Sequence, residues 1–295
     1  MRTMLRRIGF PALLALSLVL ALASCSVLRL AYYHVDFWLL GQVESFVTLN
    51  AEQRGWLEER LRAHREWHCR TQLPAYVEWL GALEAEIDAP DPARLAALSG
   101  QLEQFIAAIL AEFAPTIAEL LLRLDSVQRA ELFARLDQEL IEMRVKYVDP
   151  PPEQRQRERA ERLEKRLKPW IGALTAEQAD RIRQWNMVLD DQSSGWLANR
   201  QRLLEAVRAA LARPDAGSAR RQLVGLFETP ATVQTADYAR QVVRTRTEAL
   251  ALTADLLRLM TDRQRTRLRE RIEGVRADFR ALICGGSTTV AVSRF

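Results

Sequence analysis

Apolar positions along this chain recur with helical rather than strand spacing, and one start signal introduces them four times. Leu49, Leu124, Leu174 and Met260 each precede a polar residue, two further residues and a Gln. The pairs are Asn50 and Gln53, Asp125 and Gln128, Thr175 and Gln178, and Thr261 and Gln264. A side-chain oxygen at an N-cap can accept the amide hydrogen of the third helical residue, and a Gln there can reach back to the cap's own amide. The spacing therefore predicts four capped helix starts. Downstream, Leu57 and Leu61, Leu132 and Leu136, and Leu268 and Ile272 lie four residues apart. Arg60, Arg135 and Arg271 stand beside them, which makes an apolar stripe with a charged shoulder.

The start signals at Leu49 and Leu174, the turns at Pro90-Asp91 and Pro214-Asp215, and the signals at Leu124 and Met260 repeat at nearly the same offset. That regularity predicts an internal duplication with a small insertion late in the second copy. Period-two alternation is confined to the short tail "STTVAVSRF". The expected fold is all-α, two similar helical bundles holding about eight or nine helices and free to share one core. The first half spans residues 25–148 and the second 174–284. Between them, 149–173 carries Asp149-Pro150-Pro151-Pro152 and a charged run. In that run Glu158 and Arg162, Glu161 and Lys165, and Glu164 and Lys168 are spaced to support a solvated connecting helix. Residues 285–295 are expected to be a loose tail.

The N-terminal stretch changes the picture of where the chain works. Arg2, Arg6 and Arg7 precede an apolar run from Phe10 to Ala23, which ends in Leu22-Ala23-Ser24-Cys25. This is the order of a lipoprotein signal peptide over residues 1–24, with Cys25 as the acylated (palmitate-bearing) new terminus. Ile8 to Leu28 is uncharged, so a membrane-spanning anchor is the competing reading. Loss of the leader would leave 39 basic against 38 acidic residues, so the formal charge of +4 largely belongs to the leader. Nothing then marks a nucleic-acid partner. Ser26 rather than Asp after the Cys resembles lipoproteins delivered to the outer membrane, facing the periplasm.

Two cysteines remain in the exported chain, Cys69 and Cys284, and in an oxidising compartment such a pair is expected as a disulfide. Phosphate-loop, Cys-x-x-Cys, His-Glu-x-x-His and Gly-x-Ser-x-Gly motifs are missing from the chain. His64 and His68 stand one helical turn apart in "HREWHCR", the arrangement that can grip a metal ion. They also continue the stripe of Leu57 and Leu61, where histidines are more often buried and hydrogen-bonded, so neither a metal nor another cofactor is assigned. Asp190 and Asp191 offer acids beside Ser193 and Ser194, with only three histidines in the chain to serve as base. "AYYHVDFWLL", Ala31 to Leu40, is expected to fill the core with Tyr32, Tyr33, Phe37 and Trp38, the alternative being a row of interfacial anchors.

The opening "LAYYHVDFWLL" followed by "LNAEQR", the segment "WHCRTQLPAY" and the stretch "YVDPPPEQRQRERAERLEKRLKPWIGALTAEQ" resemble an uncharacterised family of proteobacterial lipoproteins. The resemblance implies a helical envelope lipoprotein and brings no activity with it. Leu174-Thr175-Ala176-Glu177-Gln178 also resembles the Leu-Thr-x-x-Gln motif of the Spy and CpxP periplasmic proteins, helical chaperones and stress modulators. The expected function is accordingly non-enzymatic: a lipid-anchored envelope protein acting through protein–protein contacts with envelope proteins or unfolded clients. The alternative is a metal-binding or enzymatic periplasmic protein with a site near His64 and His68.

Overall fold

A computed structural model describes residues 28–189 and 192–284. Cys25, Ser26, Asp190, Asp191 and the tail from residue 285 lie outside the described residues. Among the described residues there are eleven α-helices and no strand, somewhat more helices than the periodicity predicts. They are α1 Val35–Glu44, α2 Ala51–Trp67, α3 Leu73–Ala85, α4 Pro92–Arg123, α5 Ser126–Tyr147, α6 Pro152–Ile171, α7 Ala176–Val188, α8 Ser193–Leu211, α9 Ala216–Glu228, α10 Ala236–Arg258 and α11 Asp262–Leu282.

One source of the higher count is Pro74. Residues 51–85 form one helical rod interrupted by a π turn at His68–Gln72, where the Leu73 amide donates to the His68 carbonyl. An unbroken α-helix would set the proline ring against the Arg70 carbonyl and leave that carbonyl without its donor, and widening the turn relieves the clash. Proline acts differently at Pro92. There it sits in the first turn, where no amide is needed, behind the Asp91 carboxylate that accepts from Ala93 N at 2.8 Å. The resulting α4, 32 residues long, is about 48 Å from end to end.

Long helices of this kind need partners on their apolar stripes, and here the partners come from the other half of the sequence. The most extensive pairings are α9 on α4 and α11 on α3, while α5 lies on α8. The last helix of each half thus crosses to the opposite half. The largest buried cluster joins Leu57, Leu61, Ala118 and Leu121 to Val207, Ala210, Leu223 and Leu226. Two smaller clusters also cross, Leu95 and Leu98 with Ala254 and Leu257, and Leu80 and Ile87 with Ile272. The helices are exchanged across shared cores rather than stacked as self-contained bundles.

Helix α6 departs from the expectation of a purely solvated connector. The pairs Arg162–Glu158 at 3.3 Å and Lys165–Glu161 at 3.8 Å line its outer face. Its other face places Ala160, Leu163 and Leu167 against Ile182, Trp185, Leu252 and Leu256. The apolar residues, three or four apart, outweigh the charged run in setting how the helix sits. Gly172 then turns the chain at φ +83°, a backbone angle that favours glycine.

Candidate functional site

All four start signals close as capping boxes. The Asn50, Asp125, Thr175 and Thr261 side chains accept from the amides of Gln53, Gln128, Gln178 and Gln264, and each Gln carbonyl accepts from its cap's amide. The tertiary fold then joins these glutamines in pairs. Gln53 Nε2 donates to Gln128 Oε1 at 2.9 Å, and Gln128 Nε2 donates back to Gln53 Oε1 at 2.7 Å. The second hydrogen of each amide goes to the Arg123 and Thr48 carbonyls, both at 2.8 Å. In the other half Gln178 and Gln264 exchange the same two bonds at 2.9 Å, with the Leu259 and Ala173 carbonyls as outer acceptors.

Each amide therefore accepts twice and donates twice, which exhausts its capacity. This explains why Gln stands where Glu would also complete a capping box: two facing carboxylates have no hydrogens to exchange and would repel. A signal for the pairing is present in the sequence. Gln53, Leu57, Leu61 and His64 fall on one helical stripe, and a polar residue on a buried stripe needs a partner there.

His64 and His68 do not converge on a common ligand position. His64 is buried, stacked on Phe113 at 4.2 Å between ring centres, and both of its nitrogens are engaged. Nδ1 pairs with Glu112 Oε1 at 2.9 Å and Nε2 with Thr116 Oγ1 at 2.8 Å. A hydroxyl, an imidazole and a carboxylate in this order form a nucleophile relay when a substrate can reach the hydroxyl. Thr116 is only 8 % exposed within α4, so the trio satisfies buried polar groups instead. Glu112 and Thr116 lie far from His64 in sequence, and spacing alone did not point to them.

His68 belongs to a separate aromatic group. Its Nδ1 pairs with the Tyr32 hydroxyl at 3.0 Å, and its ring meets Tyr76 edge-on at 5.5 Å. Burial pushes its pKa below the usual histidine range and raises that of Tyr32 to about 12. Next to it Cys69 is bonded to Cys284 with Cα atoms 5.2 Å apart, and Leu73 and Leu282 pack around the bridge. The bond ties the π turn to the end of α11. Among the described residues no group of three or more His, Cys, Asp and Glu is placed to hold a metal ion.

The aromatic opening departs from expectation. Tyr32 packs inward and Leu40 is buried, but Tyr33, Phe37 and Trp38 are exposed. The charged residues of this stretch turn to the body, Arg29 to Asp278 at 3.0 Å and Asp36 to Arg65 at 3.5 Å. With Leu40 seated in the core, those pairs set the rotation of the helix and leave the aromatics outside.

A second exposed apolar region lies where α4 and α10 run antiparallel. Leu95 and Leu98 meet Ala254 and Leu257, and further along Glu103 pairs with Arg246 at 2.6 Å. This register brings Ile106 level with Val242 and Val243, all of them exposed. Helix α4 is long and apolar enough to cross a membrane, but its packing against α9, α2, α10 and α3 makes it the central helix of the body.

In comparison with known proteins, residues 45–239 match a family of unknown function, DUF6279. No curated protein and no solved structure matches.

Proposed function

Taking as premise that the chain belongs to the DUF6279 family, we propose that it is a non-enzymatic envelope protein, acylated at Cys25 and held at the outer membrane facing the periplasm. In this reading it binds apolar segments of envelope proteins or unfolded clients. The observation that carries the proposal is the apolar strip on α4 and α10, where Ile106 is 52 % and Val243 64 % exposed beside the Glu103–Arg246 pair. Apolar side chains presented together and rimmed by charge are characteristic of protein-binding surfaces. Among the described residues, the two histidines weighed as a candidate site are engaged within the fold, His64 with Glu112 and Thr116 and His68 with Tyr32.

We propose further that the two halves descend from one duplicated unit. The matching glutamine pairs and the reciprocal crossing of α5 and α11 support that origin.

Two experiments test the functional reading. The purified chain should suppress aggregation of an unfolded client, and Ile106→Asp with Val243→Asp should remove that activity without lowering the melting temperature. Full activity in the double variant would refute the assignment of the strip. In cells, Cys25→Ala should accumulate as a heavier, unprocessed precursor; an unchanged mass would refute acylation.

A further inference from the structure

The helical segment that follows Cys25 has its amphipathic order turned inside out. Leu30, Tyr33, Phe37 and Trp38 are 61, 56, 72 and 59 % exposed. No Asp, Glu, Lys or Arg occupies an exposed position between Leu30 and Gln42. The charged residues of the same stretch, Arg29 and Asp36, are instead paired inward with Asp278 and Arg65. A helix on a water-facing surface places these classes the other way round. Leu30, Tyr33 and Phe37 recur three and four residues apart with Trp38 beside them, which makes one continuous stripe.

We infer that this stripe lies in the headgroup layer of the lipid bilayer, so that the helical segment 28–44 rests flat on the membrane and fixes the orientation of the body above it. The inference rests on the reading of Cys25 as the acylated residue, and that reading supplies the geometry. Leu28 is the third residue after Cys25, and a fully extended chain gains at most about 3.5 Å per residue, so the helical segment begins within about 10 Å of the Cys25 backbone. The composition suits that depth. Tyr and Trp favour the interface, where ring and polar edge are both satisfied, and Phe37 and Leu30 can enter the upper acyl region. His34, exposed on the same face, is compatible with headgroups.

The test uses the full acylated chain reconstituted in vesicles of phosphatidylethanolamine and phosphatidylglycerol. An environment-sensitive fluorophore is placed at Phe37→Cys, or at Glu177→Cys on the exposed start of α7 as a control, with the native disulfide intact. Nitroxide-bearing lipids should quench the label at position 37 several-fold more strongly than the label at 177, with a blue-shifted emission at 37. Equal quenching at both positions in protein that floats with the vesicles would overturn the inference while leaving acylation intact. Ready disulfide cross-linking between two Phe37→Cys chains would overturn it in favour of a second copy covering the stripe. Failure of the chain to float with vesicles would remove the anchoring reading, and the inference with it.

Discussion

Replacing one clasp glutamine tests whether the paired amides act as units. Gln178 is fully buried, and its side chain makes four hydrogen bonds: to the Thr175 amide, to the Leu259 carbonyl and two to Gln264. Gln178→Met keeps the length and removes all four. At about 1 kcal/mol net for each bond, the expected loss is about 4 kcal/mol. Gln264→Met should cost the same. The double variant loses six distinct bonds rather than eight, because the two between the glutamines are common to both single changes. A double-mutant cycle should therefore return a coupling of about 2 kcal/mol. Combining Gln178→Met with Gln53→Met, from the other clasp, should be additive within about 0.5 kcal/mol. The measurement is urea unfolding followed by far-ultraviolet circular dichroism on the chain starting at Ser26. Coupling below about 0.5 kcal/mol for Gln178 with Gln264 would refute the reasoning.

Three further outcomes are expected. Reducing Cys69–Cys284, which are 215 residues apart, should destabilise the chain by about 5 kcal/mol and lower its Tm by about 10 °C or more in a calorimetric scan with and without reductant. Folding holds the His68 pKa below its unfolded value of about 6.5, so the unfolded chain takes up the proton first on acidification. Stability should be complete above that value and decline as the pH falls through it, and His68→Gln should flatten this slope in urea midpoints taken from pH 7.5 to 5.5. His64→Ala should cost about 3 kcal/mol, because it opens a cavity under Phe113 and strips Thr116 and Glu112 of a partner. A loss below about 1 kcal/mol by thermal melting would show that the trio is solvated.

How far the sequence reveals the fold depends on how local each cause is. A cap and its Gln lie three residues apart, so Asn50 with Gln53 and Thr261 with Gln264 announce their helix starts without help from the rest of the chain. The all-α class follows from the same short-range spacing. Pro74 should be legible too, but whether a helix ends at a proline or widens into a π turn depends on what packs around it, here Cys69 and Leu282. The charged run of α6 misled because its many ion pairs hide Leu163 and Leu167, whose partners Ile182 and Leu256 lie distant in the chain. The candidate ligands His64 and His68 share a helix face, yet their ring nitrogens turn to different elements, Glu112 and Thr116 for one and Tyr32 for the other.

By itself the sequence determined that this protein is built from capped amphipathic helices, because capping and helical periodicity are decided within a turn or two of backbone. Only the tertiary structure decided which helix ends meet, because a buried Gln specifies that it needs a partner amide but not which of three others will supply it. The crossing of α5 and α11 between the halves is likewise tertiary, since apolar stripes on helices α3, α4, α8 and α9 are interchangeable until shape selects among them. The outward turn of Phe37 and Trp38 has the same kind of cause. The rotation of that helix is set by Asp36 and Arg29 reaching Arg65 and Asp278, contacts that local periodicity does not reveal.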